Sequence, residues 1–431
     1  MEDKNHEDNS ATIPFLHGDA DHVVVIITSK QEQCKHNHMS GASFTSTCFN
    51  GINALSGVGI VSLPYAMASG GWLSLILLLL IASSAFYTGL LIQRCMDTDP
   101  TIKSYTDIGD RAFGKTGKAI VSITMNLEVY LIVTGFLILE GDNLSNLFPN
   151  MKLVVYGHHI SSTCGFILLV SLIILPTCWL KNMSILSFVS ASGVLASMII
   201  LGSVFWAGAV DDIGFQEKGK LVNWNGLPSA ISLYAFCYSA HPIFPTLYTS
   251  MRNQRQFSKV LFLCFALCTV TYSLMAVIGY LMFGSNAASQ ITLNLPTNHM
   301  SSRVAICTTI VTPIAKYALF LAPIVNDIEA RFQPSYNNKR MCSFLTRTAL
   351  MISTIIVALC LPFYGPLMSL VGALLSASTS IIIPCACYLK ISGIYKRIGV
   401  EMVIVGFVLL SGLIVAVVGT YVSFVDIKSQ L

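Results

Sequence analysis

The chain opens with a polar, acidic-leaning stretch over residues 1–43 and then changes character. From residue 44 onward apolar runs follow one another, near 45–68, 72–94, 119–146, 161–180, 185–208, 227–250, 259–283, 304–325, 345–362, 366–389 and 401–424. A helix needs about 20 apolar residues to cross a bilayer. None of the runs alternates apolar and polar residues with the period of two that a membrane strand requires. The pattern predicts an all-α polytopic membrane protein with eleven transmembrane helices. The ninth and tenth are divided only by the turn from Pro362 to Pro366. Residues 1–43 read as a disordered tail, 44–425 as the transmembrane domain and 426–431 as a short C-terminal tail. The run Val23–Ile27 is too short for a signal peptide, which leaves the N-terminus expected in the cytosol.

Composition agrees with the pattern. Of 431 residues, 54% are hydrophobic and 11% charged, and the mean hydropathy is +0.69. Soluble domains carry roughly 25% charged residues. A soluble enzyme, a nucleic-acid binder and a disordered chain are excluded. The net charge of +4 comes mostly from loops. With a cytosolic N-terminus, 19 of the 25 Lys and Arg residues fall on the cytosolic side of the eleven-span scheme. Five (Lys152, Lys218, Lys220, Arg303 and Lys428) fall on the other, and Lys316 lies inside a span. That asymmetry supports both the orientation and the count.

Most of the 13 cysteines sit in apolar runs without a CxxC pair, where cysteine acts as a small hydrophobe. Cys34, His36 and His38 form a CxHxH cluster in the tail. Three ligands there lack supporting partners, so neither a metal nor a cofactor is expected. Asn143-Leu-Ser145 and Asn182-Met-Ser184 are glycosylation sequons, the first against the membrane and the second on the cytosolic side. Glu140 and Asp142 are expected to face water at the end of the third helix.

Two spans are interrupted. The first reads Asn50-Gly-Ile-Asn-Ala-Leu-Ser-Gly-Val-Gly-Ile-Val-Ser-Leu-Pro64-Tyr65, with Gly51, Gly57, Gly59 and Pro64 in one helix. Taken alone, this fits close helix packing through small residues as well as a broken, ligand-binding helix. The sixth reads Tyr234-Ala-Phe-Cys-Tyr-Ser-Ala-His241-Pro242-Ile-Phe-Pro245, where two prolines remove backbone donors in mid-span. Breaks at positions one and six point to a five-plus-five inverted repeat with a midplane site. Repeat one would cover 45–208, repeat two 227–389, and 401–424 would be an extra helix. In such a site a half-helix N-terminus meets a carboxylate and unwound carbonyls meet an ammonium. An amino-acid zwitterion suits both. The expected cradle for the carboxylate is the backbone N–H groups around Ser56, Gly57, Val58 and Gly59. The ammonium is expected at carbonyls near Asn53 and around Phe236, Cys237, Tyr238 and Ser239, with Leu55 inside the same site.

Only Glu128 in the third span and Lys316 in the eighth are charges well inside the membrane. Each costs about 2.5–3.5 kcal/mol at the bilayer centre on insertion scales. Both are candidates for ion or proton coupling, set against a structural ion pair or a water-facing helix. His241 is a third candidate, set against a histidine that satisfies loose carbonyls at a proline break.

At these residues the chain resembles the amino acid/auxin permease family. Within it the likeness is to the plant vacuolar amino-acid transporter (AVT) subgroup, itself similar to the vesicular inhibitory amino-acid transporters. The pattern lies in NALSGVGIVSLPYAMASGGW at 53–72, AFCYSAHPIFPTLYTSM at 235–251 and TPIAKYALFLAP at 312–323. Ala240-His241-Pro242 departs from it, a glycine and then a histidine without proline being expected. Glu128, in NLEVYLIVTG, resembles a glutamate of the vesicular relatives. The resemblance implies the fold of the amino acid–polyamine–organocation superfamily, ten core helices plus one, and proton-linked transport at the vacuolar membrane. In sodium-coupled members the eighth helix supplies hydroxyl ligands to a sodium site shared with the first. Lys316, seven residues before Pro323, aligns with that position, where its ammonium would stand in for the metal ion.

A channel would need a continuous polar lining, a seven-helix receptor has too few helices, and no clustered catalytic groups suggest an enzyme. The leading expectation is a secondary active transporter of neutral amino acids. The expected partners are substrate, protons and the lipid bilayer, with no nucleic acid and no obligate protein. A carrier of a hormone or polyamine at the plasma membrane is the alternative. A polyamine is disfavoured because positions 51–65 and 234–245 hold no acidic residue.

Overall fold

Several helices in this chain begin at side-chain caps or prolines, and several stop where glycine or proline interrupts the hydrogen-bond ladder. The structure, a computed structural model, describes residues 41–149, 151, 153–155, 158–179, 186–211, 213–332, 339–396 and 399–430. Of the tail expected at 1–43 only the last three residues are among them. Cys34, His36, His38 and the sequon at Asn182 lie outside the described residues.

Ser43 caps α1 (Phe44–Leu55), its hydroxyl accepting from the Ser46 amide at 3.2 Å. The helix stops because Gly57 is extended (φ −95°, ψ −168°). A 3-10 turn over Val58–Ser62 then leads into α2 (Leu63–Gly70), where Pro64 sits in the first turn, a place that needs no N–H. The axis bends by 44° across this break. Next come α3 (Leu73–Thr98) and α4 (Tyr105–Leu147), the latter opened by a reciprocal cap between Ser104 and Asp107 and kinked at Gly114 (φ 65°). A hairpin of β1 (Leu153–Val155) and β2 (His158–Ile160), antiparallel with Val154 opposite His159, joins α4 to α5 (Ser162–Trp179). This small sheet was not foreseen, being too short to show a period. After it come α6 (Leu186–Ala209) and α7 (Leu227–Cys237).

Helix α7 cannot continue. Pro242 has no N–H for the Tyr238 carbonyl, and Pro245 has none for that of His241. The chain turns through a 3-10 segment, His241–Ile243, into α8 (Phe244–Ser250). Five longer elements finish the fold: α9 (Phe257–Phe283), α10 (Met300–Phe332), α11 (Lys339–Cys360), α12 (Tyr364–Ser392) and α13 (Val400–Gln430). Within α12, Val371–Ser376 and Ser378–Ile382 are wound as π-helix, a widening that recurs at functional sites.

Helices thus cover all eleven apolar runs. Among the described residues, eight are long and apolar enough to cross a membrane, or nine counting the bent α1–α2 pair. The runs that fall short are α6, apolar over Gly193–Ala209, and the divided α7–α8 pair, whose halves are short because the break lies mid-span.

The broken pairs occupy the middle of the bundle. Helix α9 packs on α1 and α2, α7 packs on α2 and α12, and α10 packs on α4 and α6. Bare glycines allow these approaches. A Cβ on Gly51 would stand 2.7 Å from Cys264 Sγ, and one on Gly372 would collide with the Ser232 carbonyl. Large apolar side chains such as Leu172, Phe407 and Val417 point outward, as a lipid-facing surface requires. Arg94 ties the start of α13 to α3 through Glu401 at 2.5 Å, and Tyr388 donates to the same carboxylate at 2.7 Å.

Candidate functional site

The two breaks touch. A Cβ on Gly59 would lie 2.7 Å from Cys237 Sγ and 3.3 Å from the Phe236 ring, so only glycine admits this contact. Tyr272 of α9 links both strands of the break: its hydroxyl donates to the Leu55 carbonyl at 2.5 Å and lies 3.4 Å from that of Cys237.

At the first break Ser56 N–H donates to the Ile52 carbonyl at 2.6 Å and Gly57 N–H to Leu55 at 2.8 Å. Among the described residues no carbonyl accepts from the Val58 or Gly59 amide. Gly57 faces open space, with nothing nearer than 4.0 Å to where a Cβ would stand. The adjoining cavity, bounded by Val61, Ala196 and Thr312 among others, holds only about 10 Å³, room for a water and no more. A larger groove of about 340 Å³ between α6 and α10 shares Ala196 and Thr312 with it and has Lys316 in its wall.

Lys316, 3% exposed, donates from Nζ to the Ser56 carbonyl at 3.3 Å. Its ammonium and the Asn53 side-chain oxygen both come up against Gly193 of α6, where a Cβ would stand 3.0 Å from Nζ. Asn53 Oδ1 is buried without a partner. The Ser56 hydroxyl lies 3.8 Å from Cys268 Sγ.

At the sixth break, Glu128 of α4 receives three hydroxyls. Ser239 donates to Oε1 at 2.6 Å, Ser376 to Oε1 at 2.7 Å, and Thr379 to Oε2 at 2.9 Å. Ser380 extends the set by donating to the Ser239 hydroxyl at 3.1 Å. Hydrogen bonds to a charged group contribute about 1.5–3 kcal/mol each, and three of them help offset the burial of this carboxylate. Tyr238 turns away, its hydroxyl on Thr269 at 2.9 Å. His241, fully buried, sets Nε2 at 2.9 Å from both the Ala85 carbonyl and the Thr88 hydroxyl. A carbonyl only accepts, so Nε2 carries the hydrogen; Nδ1 has no partner. His241 thus tethers the turn to α3 and forms no hydrogen bond with Glu128 or Lys316.

The model of the family described as transmembrane amino acid transporter protein matches residues 40–425. The chain belongs to this family. Among its relatives in Arabidopsis thaliana, amino acid transporter AVT1J is 56% identical over 91% of this chain and 93% of its own. Amino acid transporter AVT1I is 54% identical over 92% and 98%. The motifs at 53–72, 235–251 and 312–323 therefore pointed to the right family. The chain is a transporter and not an enzyme. A solved structure of a Na+-coupled sialic acid symporter, in a substrate-bound outward-open state, aligns with a TM-score of 0.54 over 88% of both chains at 13% identity, a likeness of fold alone.

The transporter's sequence did not single out Tyr272, Ser376, Thr379, Ser380 or Gly193. The run SASTS at 376–380, rich in hydroxyls inside an apolar span, was the available signal for three of them. Glu140 and Asp142 need correction. Glu140 is fully buried with both carboxylate oxygens unpartnered, and Asp142 accepts from Gln290 Nε2 at 3.0 Å. The last turns of α4 are covered by the Gln290–Thr292 segment, which hydropathy cannot foresee. Asn143 is buried as well, donating to Gln290 Oε1 at 2.5 Å, which keeps its sequon out of reach.

Tyr272→Phe removes the one hydroxyl shared by the two breaks. At about 1 kcal/mol for a neutral hydrogen bond, maximal uptake is expected to fall about fivefold with the amount of protein in the membrane unchanged. Uptake assays normalised to surface or vesicle protein check this; an unaltered rate would make the contact incidental.

Proposed function

We propose that this transporter is a proton-coupled secondary carrier of neutral amino acids in the vacuolar membrane, with a cytosolic N-terminus. In this reading the eleven helical stretches all span, the first ten form the five-plus-five inverted repeat, and α13 is the extra helix. The membrane and the orientation rest on the AVT resemblance and on the Lys/Arg asymmetry.

The observation that carries the reading is that the two mid-span charges singled out in the sequence each reach one break: Lys316 the Ser56 carbonyl and Glu128 the Ser239 hydroxyl. A zwitterion fits between. Its carboxylate takes the unengaged amides of Val58 and Gly59, with Ser56 and Gly57 alongside. Its ammonium takes carbonyls near Asn53 and Phe236–Ser239, with Leu55 inside the same site. One carboxylate at the site matches one ammonium, whereas a polyamine would demand several. Lys316 and Glu128 hold the protons whose movement is coupled to substrate, and the free Nδ1 is where His241 would take up another. The 10 Å³ beside Gly57 is too small for any amino acid, so the bundle must open to load and reclose around its cargo.

The test is uptake into reconstituted vesicles, with a panel of amino acids and an imposed pH gradient. Gradient-dependent flux of neutral amino acids is expected. No substrate-dependent flux across the panel overturns the reading.

A further inference from the structure

Glu128 lacks a counter-ion. The five ion pairs of the described residues do not include it, yet it is 3% exposed. The titratable groups on the surrounding elements are engaged elsewhere. On α4 itself, Tyr105 donates to the Thr379 carbonyl at 2.5 Å. On the sixth-span turn, His241 is bound to α3. On α10, Lys316 is on the Ser56 carbonyl and Asp327 accepts from Ser122 and Asn126. On α11, Arg347 donates to the Cys178 carbonyl at 2.8 Å. On α12, Cys385 and Cys387 are buried thiols. What Glu128 has instead is three neutral hydroxyls, drawn from the sixth break and from the π-wound turns of α12.

A buried carboxylate held by neutral hydroxyls and lacking a counter-ion suits a cation, and a primary ammonium supplies the charge with N–H donors to spare for neighbouring acceptors. The acceptors an ammonium would need in return are close at hand. Among the described residues no backbone N–H reaches the carbonyls of Ala235 or Ser239, and Ser239 is also the residue that touches Glu128. Ser and Thr hydroxyls both donate and accept, so they serve an empty carboxylate and an occupied one equally well.

We propose that Glu128, with Ser239, Ser376 and Thr379, is the subsite for the ammonium of the substrate, and that proton and ammonium compete for this one carboxylate. The proposal rests on the transport reading above and extends it. Ligand binding to the protonated form breaks the carboxyl O–H, and that proton leaves to the medium as the substrate's ammonium takes its place. Reprotonation reverses the exchange and releases the substrate. The subsite selects for a free, protonated amine and against des-amino acids of the same skeleton.

Purified transporter in lipid nanodiscs is titrated with the protein amino acids, and with the des-amino counterpart of whichever binds most tightly, across acid to neutral pH. Amino-acid affinity is expected to fall about tenfold per pH unit on the acid limb, and calorimetry in two buffers of different ionisation enthalpy to show a proton released per ligand bound there. Glu128→Gln should flatten the acid limb and remove the preference over the des-amino acid. Glu128→Asp keeps the carboxyl and should retain the pH slope at lower affinity, which separates chemistry from misfolding. Affinity that is constant or rises on acidification, or an acid limb retained in Glu128→Gln, overturns the competition and leaves the transport reading standing. Failure of every amino acid to bind overturns the transport reading itself.

Discussion

Lys316→Ala is expected to lower proton-driven uptake by more than about tenfold while the protein still reaches the membrane. Among the described residues the ammonium is the only donor on the Ser56 carbonyl, and a charge-assisted hydrogen bond contributes about 1.5–3 kcal/mol. Without it the end of α1 loses this tie to α10. Insertion is not the cause of the loss, because removing a lysine from mid-span relieves an insertion cost of about 2.5–3.5 kcal/mol. Lys316→Arg should not restore uptake. A guanidinium does not lose its proton in this range, and the planar group would have to fit where a single Nζ already lies against Gly193. Proton loss from Lys316 would strip the charge assistance from its bond to the Ser56 carbonyl and so bias the equilibrium between open and closed forms. Since the resemblance implies that Lys316 stands where sodium-coupled members hold a sodium ion, uptake by the unaltered protein is expected to be the same in sodium and choline media. Strict sodium dependence, or full pH-driven uptake by Lys316→Ala, would sink this mechanism.

The parts of the site that backbone chemistry dictates were legible in the sequence. Clustered glycines around Gly57 and the closely spaced Pro242 and Pro245 weaken the ladder in mid-span, so both unwound segments were readable without coordinates, although Pro64 only opens α2 and Pro313 and Pro323 are carried inside α10. Lys316 and Glu128 were readable because charge inside an apolar run is rare. Which side chains would surround them was not. In a membrane helix a serine or threonine commonly bonds back to its own turn, as Thr134 does to the Tyr130 carbonyl and Ser171 to that of Ile167. Nothing local distinguishes these from Ser376 and Thr379, which reach across to α4. Even within the SASTS run, Ser378 turns back to the Leu374 carbonyl. The distinction is one of helix face, and α12 changes its face register twice through its π turns, so a count at 3.6 residues per turn loses the phase.

Tyr272 was hidden for a related reason. It sits in an apolar helix with other aromatic residues, and its hydroxyl matters only because two unwound strands come within its reach. Hydropathy located Glu140 at the end of a span and hence in water; its burial is a tertiary fact.

Gly57→Val is expected to abolish substrate binding and leave the fold intact. Its backbone, at φ −95° and ψ −168°, is extended and suits a β-branched residue, and no atom lies nearer than 4.0 Å to the new Cβ. The added methyl groups would instead project into the open side of the break, beside the unengaged Val58 and Gly59 amides. With only about 10 Å³ there at present, the isopropyl group would occupy the volume a ligand carboxylate must enter. Binding measured in nanodiscs should drop below detection while the thermal midpoint moves by no more than a few degrees. Gly59→Val supplies the contrast. Two residues on, a Cβ meets Cys237 Sγ at 2.7 Å and the Phe236 ring at 3.3 Å, which forces the two breaks apart, so this variant should lose folded protein as well as binding. If Gly57→Val binds and transports with unaltered apparent affinity, the carboxylate is held somewhere other than the first break.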